Sequence, residues 1–240
     1  MEVPARLIIV RLAGTVPTGG KGKAPDKAFA LNIIRATAPT WLGLPPGRRK
    51  LLELLSRFDL TPAQGKRVWE ESKRRAAFTS PASDVEIINN PYLIAERDLG
   101  GGEDVAISPE VIDRGLLPDE GLASAPKVEE PSCVKSAADR RRVRCALVTA
   151  LREAGEAGDS LLSLGESLGR LPPLSAAHPI LVSPDWIEGN ALFLGGVISR
   201  LAVEVKGDTP SNVPALQLSE IKSREEKTGE DISRSLRQVY

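Results

Sequence analysis

Apolar residues recur at helical spacing from residue 48 onward. Between Arg48 and Asp59, large apolar side chains return every three or four positions, which is the period of one helix face. These side chains are Leu51, Leu54, Leu55 and Phe58. The pattern predicts an amphipathic helix with this face turned to the core.

Further helix starts follow, each marked by a residue that can cap a helix. Thr61 and Gln64 form a capping box around Pro62, and a proline suits the first helical position because its missing N–H would have no partner there. We predict that this helix runs to about Arg75. The other predicted starts are the capping box Ser83-Asp84-Val85-Glu86 and the cap-then-proline pairs Asn90-Pro91 and Ser108-Pro109.

A second series of elements begins near residue 137. A helix is predicted over 141–154, and a short strand or turn with a short helix over 160–171. A third helix is predicted from Ser183-Pro184 to Leu194. A hairpin is predicted from two extended stretches, 197–206 and 214–218. Helix, short element, short helix, helix and hairpin is the order of a winged helix-turn-helix.

The N-terminal residues lack this helical spacing, and β-branched side chains there flank a loop rich in Gly, Pro and Lys. We therefore predict a mainly α protein with small β elements, an α+β fold. The predicted segments are a small β element at 1–40, a helix-hairpin-helix-like region at 41–117, an acidic, proline-rich linker at 118–136, a winged-helix-like module at 137–219 and a C-terminal helix at 220–240. The last segment ends without a cap, so we expect the chain to be a fragment of a longer polypeptide.

Composition narrows the class of protein. The apolar fraction of 41% fits a folded domain, whereas 4% aromatic residues argues against a large aromatic-rich enzyme core. No apolar run approaches the roughly 20 residues that span a bilayer, and the first residues do not show the pattern expected of a signal peptide. Its two cysteines, Cys133 and Cys145, cannot frame a disulfide-rich fold. We expect a cytoplasmic protein with no membrane partner.

Charge is balanced overall, with 32 basic and 32 acidic residues, but it is uneven along the chain. Residues 48–75 hold nine basic and four acidic side chains, and residues 135–152 hold six and one. Residues 84–130 hold three basic and twelve acidic side chains. The alternation predicts modules with different surfaces.

Catalytic motifs are not evident, so we predict no catalytic residue, no metal and no cofactor. Gly14–Lys21 does not match a phosphate-binding loop, in which lysine and then serine or threonine follow the second glycine. Here Gly20 separates Gly19 from Lys21, and Gly22 follows Lys21. His178 is the single histidine, which makes a zinc site unconvincing. The carboxylates between residues 96 and 120 match no calcium loop and are predicted to form a solvated acidic surface. They are Glu96, Asp98, Glu103, Asp104, Glu110, Asp113, Asp119 and Glu120.

Basic residues at the helix entrances are the better functional signal. A helix N-terminus presents free N–H groups and partial positive charge, so it can hold a phosphate. Such contacts are independent of sequence and sensitive to salt. The predicted nucleic-acid-binding residues are Arg48, Arg49, Lys50, Lys66, Arg67, Arg140, Arg141, Arg142 and Arg144. The expected partner is single-stranded or junction DNA.

A second class of function stays open. The helix that would enter a DNA groove, Ser183–Leu194, contains Asp185 and Glu188 and no lysine or arginine. This composition favours a winged helix used for packing or for protein contact. In that alternative, the acidic 84–130 region and the winged helix dock a protein partner, and DNA is not contacted.

Three stretches resemble the N-terminal, pre-ATPase part of RecD-like superfamily 1 DNA helicases, the exonuclease V alpha-subunit-like ATPases. They are Leu60-Thr61-Pro62-Ala63-Gln64 to Trp69, Asn90-Pro91-Tyr92-Leu93 with 112–119, and 139–144 through the hairpin ending at Leu218. The resemblance covers roughly residues 42–220. Gly43-Leu44 departs from the usual Gly-hydrophobic-Gly hairpin, because Pro45 follows and has no N–H to offer a phosphate.

The resemblance implies helix-hairpin-helix-like elements ahead of a winged-helix module, with an ATPase core further along the parent chain. This chain contains no such core. We therefore expect a region that is not an enzyme by itself, that contacts DNA, and whose partners include the helicase core of the same polypeptide.

Overall fold

The computed structural model describes residues 39–102, 104–118, 128–171, 174–175, 177–205 and 211–228. Within these ranges the protein is mainly helical with a small three-stranded antiparallel sheet, as predicted. It divides into two compact units, Met1–Val134 (unit 1) and Lys135–Tyr240 (unit 2). The predicted β element of residues 1–40 lies outside the described residues, apart from residues 39 and 40, which are helical.

Short helices build the described part of unit 1. They are α1 (Pro46–Leu55), α2 (Pro62–Trp69), α3 (Glu71–Ala77), α4 (Asp84–Asn89), α5 (Leu93–Arg97) and α6 (Pro109–Leu116). Helix α1 packs against α2 and α4, and α5 packs against α4 and α6. The predicted apolar face of α1 is buried, with Leu51, Leu54, Leu55 and Phe58 all at 4% exposure or less.

Side-chain caps fix where several helices begin. The capping boxes Thr61–Gln64 and Ser83–Glu86 are both formed, and each satisfies two backbone N–H groups that a helix start leaves without partners. The helix α6 starts after Ser108 with Pro109 at its first position, as predicted, but the Ser108 side chain makes no capping hydrogen bond. These starts could be predicted because a cap involves residues within a single turn.

Two predicted boundaries in unit 1 are wrong. The helix predicted from Thr61 to about Arg75 ends at Trp69, and α3 begins after an extended Glu70. No proline or glycine marks this break, so tertiary contacts set it. Asn90 ends α4 instead of capping a new helix, and α5 starts two residues beyond Pro91.

The described part of unit 2 contains one long helix, several shorter helices and the sheet. The elements are α7 (Arg140–Glu156), β1 (Leu162–Ser163), α8 (Leu164–Gly169), α9 (Pro184–Gly189), α10 (Ala191–Leu194), β2 (Ile198–Val205) and β3 (Ser211–Leu218). The helix predicted over 183–194 is therefore two short helices. Residues 219–228 form a further helix, and the rest of the predicted 220–240 helix lies outside the described residues.

The sheet of unit 2 has the order β1-β3-β2, with both pairings antiparallel. Strands β2 and β3 form the predicted hairpin, with Ile198 opposite Leu218 and Val205 opposite Ser211. Strand β1 pairs only Leu162 and Ser163 with β3. The next position on β3 is Pro214, which has no N–H to donate to a neighbouring strand.

A single apolar core holds unit 2 together. It is lined by one face of α7 and by residues from the short helices and the sheet, and burial of each large side chain contributes about 1.5–3 kcal/mol. Its members are Val143, Leu147, Val148, Leu151, Ala154, Leu162, Leu164, Ile187, Leu194, Ile198, Leu216 and Leu218. Ile221 packs against this core and thereby ties the helix at 219–228 to unit 2.

The predicted linker at 118–136 contains the boundary between the units. Residues 119–127 lie outside the described residues. Ser132 is buried in unit 1, where its hydroxyl donates to the carbonyl of Ile88 at 2.7 Å. At least this part of the segment is therefore packed rather than a free connector. No helix in the described ranges is long and apolar enough to cross a membrane.

Candidate nucleic-acid interface

The three cations at the start of α1 point to different surroundings. Arg48 lies over the Trp69 ring at 3.4 Å and donates both to the Asp84 carboxylate, at 2.9 and 3.1 Å, and to the Trp69 carbonyl. Lys50 is exposed and Arg49 is partly exposed. Neither the Arg49 nor the Lys50 side chain has a hydrogen bond or ion pair within the described part of the chain. The predicted entrance therefore offers two surface cations, and Arg48 is used in packing.

Arg48 belongs to an ion network at the end of α2. Arg74 is 2% exposed and donates to Asp84 at 2.7 Å and to the Val68 carbonyl at 3.1 Å. A helix end leaves its last carbonyls without N–H partners, and here the guanidinium groups of Arg48 and Arg74 satisfy two of them. The break at Glu70 exposes these carbonyls, which explains why the helix ends there without a glycine.

The two predicted cations of α2 also differ. Lys66 remains at the surface, 3.8 Å from Glu70. Arg67 is buried and donates to both carboxylate oxygens of Asp98, at 2.7 and 2.8 Å, as well as to Asp104 and the Val105 carbonyl. The hydrogen bonds that Arg67 donates to Asp98 raise the pKa of Arg67 above its ordinary value. Arg67 is therefore unavailable to a phosphate and holds the loop 98–107 in place.

Helix α7 directs its four predicted arginines to different places. Arg140 is exposed, and Arg141 bridges to Asp139 at 2.9 Å. Arg142 is fully buried and donates to the carbonyls of Ala137 and His178, at 2.8 and 2.6 Å. Arg144 is 9% exposed. Arg142 is thus an interior residue of unit 2 and cannot reach a polyanion.

Phe193 on α10 brings two of these arginines together. The guanidinium carbons of Arg140 and Arg144 lie 4.6 and 4.5 Å from the centroid of its ring. We call these three side chains the arginine–Phe193 cluster. Sequence reasoning missed Phe193, although the spacing of Arg140 and Arg144 by four residues does place them on one helix face.

Asp139 shapes the charge at the start of α7. It caps the helix by accepting the backbone N–H of Arg141. Burial alone would raise the pKa of its carboxyl, but the hydrogen bonds and positive charge of Arg141, with the charge of Arg140, outweigh this and lower the pKa. The carboxyl group of Asp139 therefore stays ionised in the folded state at moderately acidic pH.

This lowered pKa predicts an acid response. A folded-state pKa below the unfolded value of about 3.9 adds stability above that pH, and the stability is lost as the pH falls through the folded pKa. Unfolding is followed by circular dichroism at a series of acidic pH values. In Asp139→Asn, the unfolding midpoint is expected to fall less steeply as the pH is lowered than it does in the unchanged chain. Asp159→Asn, at an exposed ion pair with Arg170, is the matched control. It should leave the pH dependence of the unfolding midpoint as steep as in the unchanged chain. Equal slopes in both variants would refute this role.

The acidic surface predicted for residues 96–120 is partly wrong. Glu96, Asp98 and Asp113 are buried at 4%, 2% and 0% exposure. Asp98 accepts from Arg67 and from the backbone N–H of Ile107, and Asp113 accepts from the Tyr92 hydroxyl at 2.6 Å. Their burial with polar partners makes them structural, so the acidic surface is smaller than the residue count implies.

Helices α9 and α10 carry no lysine or arginine within their bounds. Glu188 pairs with Arg200 on β2 at 2.9 Å, and Leu192 is fully exposed. A surface of this kind lacks the donors that read base edges. It leaves an apolar side chain in solvent instead.

The residues considered for metal binding or nucleophilic chemistry lie in separate places in the described ranges. No group of three or more metal-ligating side chains occurs there. Cys145 is buried and lies within α7, in the helix predicted over 141–154. His178 lies in a loop, where its backbone carbonyl accepts a hydrogen bond from Arg142. No family model matches this chain, and neither a curated protein nor a solved structure matches it.

Proposed function

We propose that this chain is a non-catalytic, DNA-binding scaffold region of a RecD-like helicase. It contacts the sugar–phosphate backbone of single-stranded or junction DNA through exposed cations. The observation that carries the proposal is the topology of unit 2, where a helix, a short strand, three short helices and a hairpin share one core. The sheet order β1-β3-β2 supports a winged helix-turn-helix.

Unit 1 supports the helix-hairpin-helix-like part of the proposal. Helical residues 39–43 are followed by Leu44 and Pro45 and then by α1, with the Leu44 N–H donating to the Trp41 carbonyl at 3.2 Å. Pro45 and Pro46 have no N–H groups, so this turn offers few backbone donors. Binding there relies on the side chains of Arg49 and Lys50 instead.

The contacts are proposed to be independent of base sequence. The helices that would face a groove carry no cation, and the predicted cations that remain at the surface are on α1, on α2 and at the start of α7. Phosphate contacts position a protein on nucleic acid without reading its sequence. The surface cations retained in the proposal are Arg49, Lys50, Lys66 and Arg140, whereas the Arg141 side chain is 16% exposed and is held by Asp139.

The double substitution Arg49→Glu/Lys50→Glu tests the unit 1 surface. We expect the affinity for a fluorescein-labelled oligothymidine to fall by at least about tenfold, because two phosphate contacts become repulsive. The slope of log affinity against log salt should become shallower by about 0.7 for each lost contact. Arg48 is left unchanged because a glutamate there would face Asp84 inside the fold.

Arg75→Glu/Arg114→Glu is the matched control. It makes the same charge change on unit 1 at two exposed arginines outside the proposed surface. Equal weakening by both double variants would indicate only general electrostatic attraction and would reject α1 as the contact. Circular dichroism should show that both variants fold.

A second candidate is a protein-interaction module that does not bind DNA. It is favoured by the cation-free helices α9 and α10 and by the fully exposed Leu192. The helicase core of the parent polypeptide is one such partner. Salt dependence separates the candidates, because phosphate contacts give a steep slope and this second function gives no DNA binding at all.

A further inference from the structure

The arginine–Phe193 cluster places two positive charges against one aromatic ring. Arg140 and Arg144 come from α7, whereas Phe193 comes from α10, about fifty residues later in the chain. Like charges four residues apart on a helix repel each other, so their approach to one ring needs compensation. Attraction to the face of the ring supplies part of it.

Arg140 retains its hydrogen-bonding capacity. Its guanidinium has no hydrogen bond or ion pair within the described ranges, and the side chain is exposed. The nearest carboxylate in sequence, Asp139, gives both of its oxygens to Arg141, at 2.9 and 3.1 Å. Asp139 is also the single acidic residue between 135 and 152, against six basic ones. Residues 135–152 therefore carry a net positive charge.

We propose that the arginine–Phe193 cluster binds a phosphodiester group of single-stranded nucleic acid. Arg140 donates to the phosphate oxygens, and Phe193 holds the guanidinium in place. A planar guanidinium matches the oxygens of a phosphate with two parallel N–H bonds, and restricting its motion lowers the entropy lost on binding. This inference rests on the proposed DNA-binding function and locates one of its sites in unit 2.

A phosphate fits the cluster better than a base edge does. A guanidinium reads guanine alone among the bases, through O6 and N7, and the cluster holds no acceptor that would pair with the amino groups of the other bases. A backbone phosphate requires only positive charge and donors. The site would therefore act on any sequence, consistent with α9 and α10 lacking base-reading cations.

The test uses the full chain and a fluorescein-labelled oligothymidine across a salt series. Arg140→Gln should weaken binding by about tenfold and reduce the salt slope by about 0.7, the value for one lost contact to single-stranded DNA. Phe193→Leu keeps both charges but removes the ring, so affinity should fall with the salt slope unchanged. Arg170→Gln, an exposed arginine of unit 2 paired with Asp159, is the matched control and should bind as the unchanged chain does.

The outcomes separate this inference from the proposed function. If Arg49→Glu/Lys50→Glu weakens binding and Arg140→Gln does not, the cluster is not a phosphate site, but the DNA-binding function stands. If the unchanged chain shows no salt-dependent binding, both are wrong. Displacement of the DNA by polyglutamate as readily as by polyphosphate would show that the site accepts protein carboxylates equally, and would overturn the assignment. Arg140→Gln is at a surface position, so its result holds even if Phe193→Leu fails to fold.

Discussion

Arg67→Met is expected to lower the free energy of unfolding of unit 1 by about 3–5 kcal/mol, because it leaves a buried carboxylate without its counter-ion. Asp98 is 2% exposed and would lose both Arg67 hydrogen bonds. Asp104 and the Val105 carbonyl would lose theirs as well. The loop 98–107 would keep the backbone N–H groups of Gly100 and Ile107, which donate to Asp98, and the Gln64 amide, which donates to the Val105 carbonyl at 3.3 Å.

Urea unfolding followed by circular dichroism measures this loss. Arg75→Met is the matched control, since Arg75 pairs with Glu71 at the surface and such pairs contribute at most about 1 kcal/mol. The double variant Arg67→Met/Asp98→Asn should recover part of the loss, because it removes the uncompensated charge. A change as small as that of Arg75→Met would contradict a structural role for Arg67.

The prediction of surface cations failed where a basic residue pairs with an acidic residue that lies far away in the sequence. Arg67 meets Asp98, which lies 31 residues further along the chain, and Arg48 meets Asp84 across 36 residues. Charge counts over a window cannot reveal such pairs, because they depend on how the helices pack. The same pairs explain why an acidic block and a basic block neighbour each other in sequence: in unit 1 they partly neutralise one another.

Local features were predicted more accurately than tertiary ones. The capping boxes at Thr61 and Ser83 depend on residues three positions apart, and the apolar face of α1 depends on spacing alone. The break at Glu70 depends on Arg48 and Arg74, which satisfy the freed carbonyls from elsewhere in the fold. No pattern within residues 61–75 indicates that break.

For the candidate interface, the sequence supplied the residues but not their arrangement. Four arginines between residues 140 and 144 look equivalent in a charge count. The structure separates them, because Arg142 shares the buried side of α7 while Arg140 and Arg144 lie against Phe193. The helical period predicts that Arg140 and Arg144 share a face, but only the packing of α10 brings an aromatic ring to it.

Gly115→Ala is expected to destabilise unit 1 although it replaces glycine with a better helix former. A Cβ atom at Gly115 would lie 2.5 and 2.9 Å from two ring carbons of Phe58 and 2.8 Å from the Arg57 carbonyl oxygen. Phe58 is 1% exposed, and the Arg57 side chain donates to the Gly115 carbonyl at 3.0 Å, so neither neighbour has room to retreat. Overpacking of this kind costs about 1–3 kcal/mol, which outweighs the roughly 1 kcal/mol gained in helix propensity.

The control for Gly115→Ala is Gly47→Ala on α1, where a Cβ atom would meet no atom within 4 Å. That variant keeps the propensity gain without the clash, so it should be at least as stable as the unchanged chain in urea unfolding. The double variant Gly115→Ala/Phe58→Leu should lose less stability than the two single losses combined, because the smaller side chain makes room for the methyl group. Additive losses would show that the ring of Phe58 is not what excludes a side chain at residue 115, and the close approach of α6 to the end of α1 would then need another explanation.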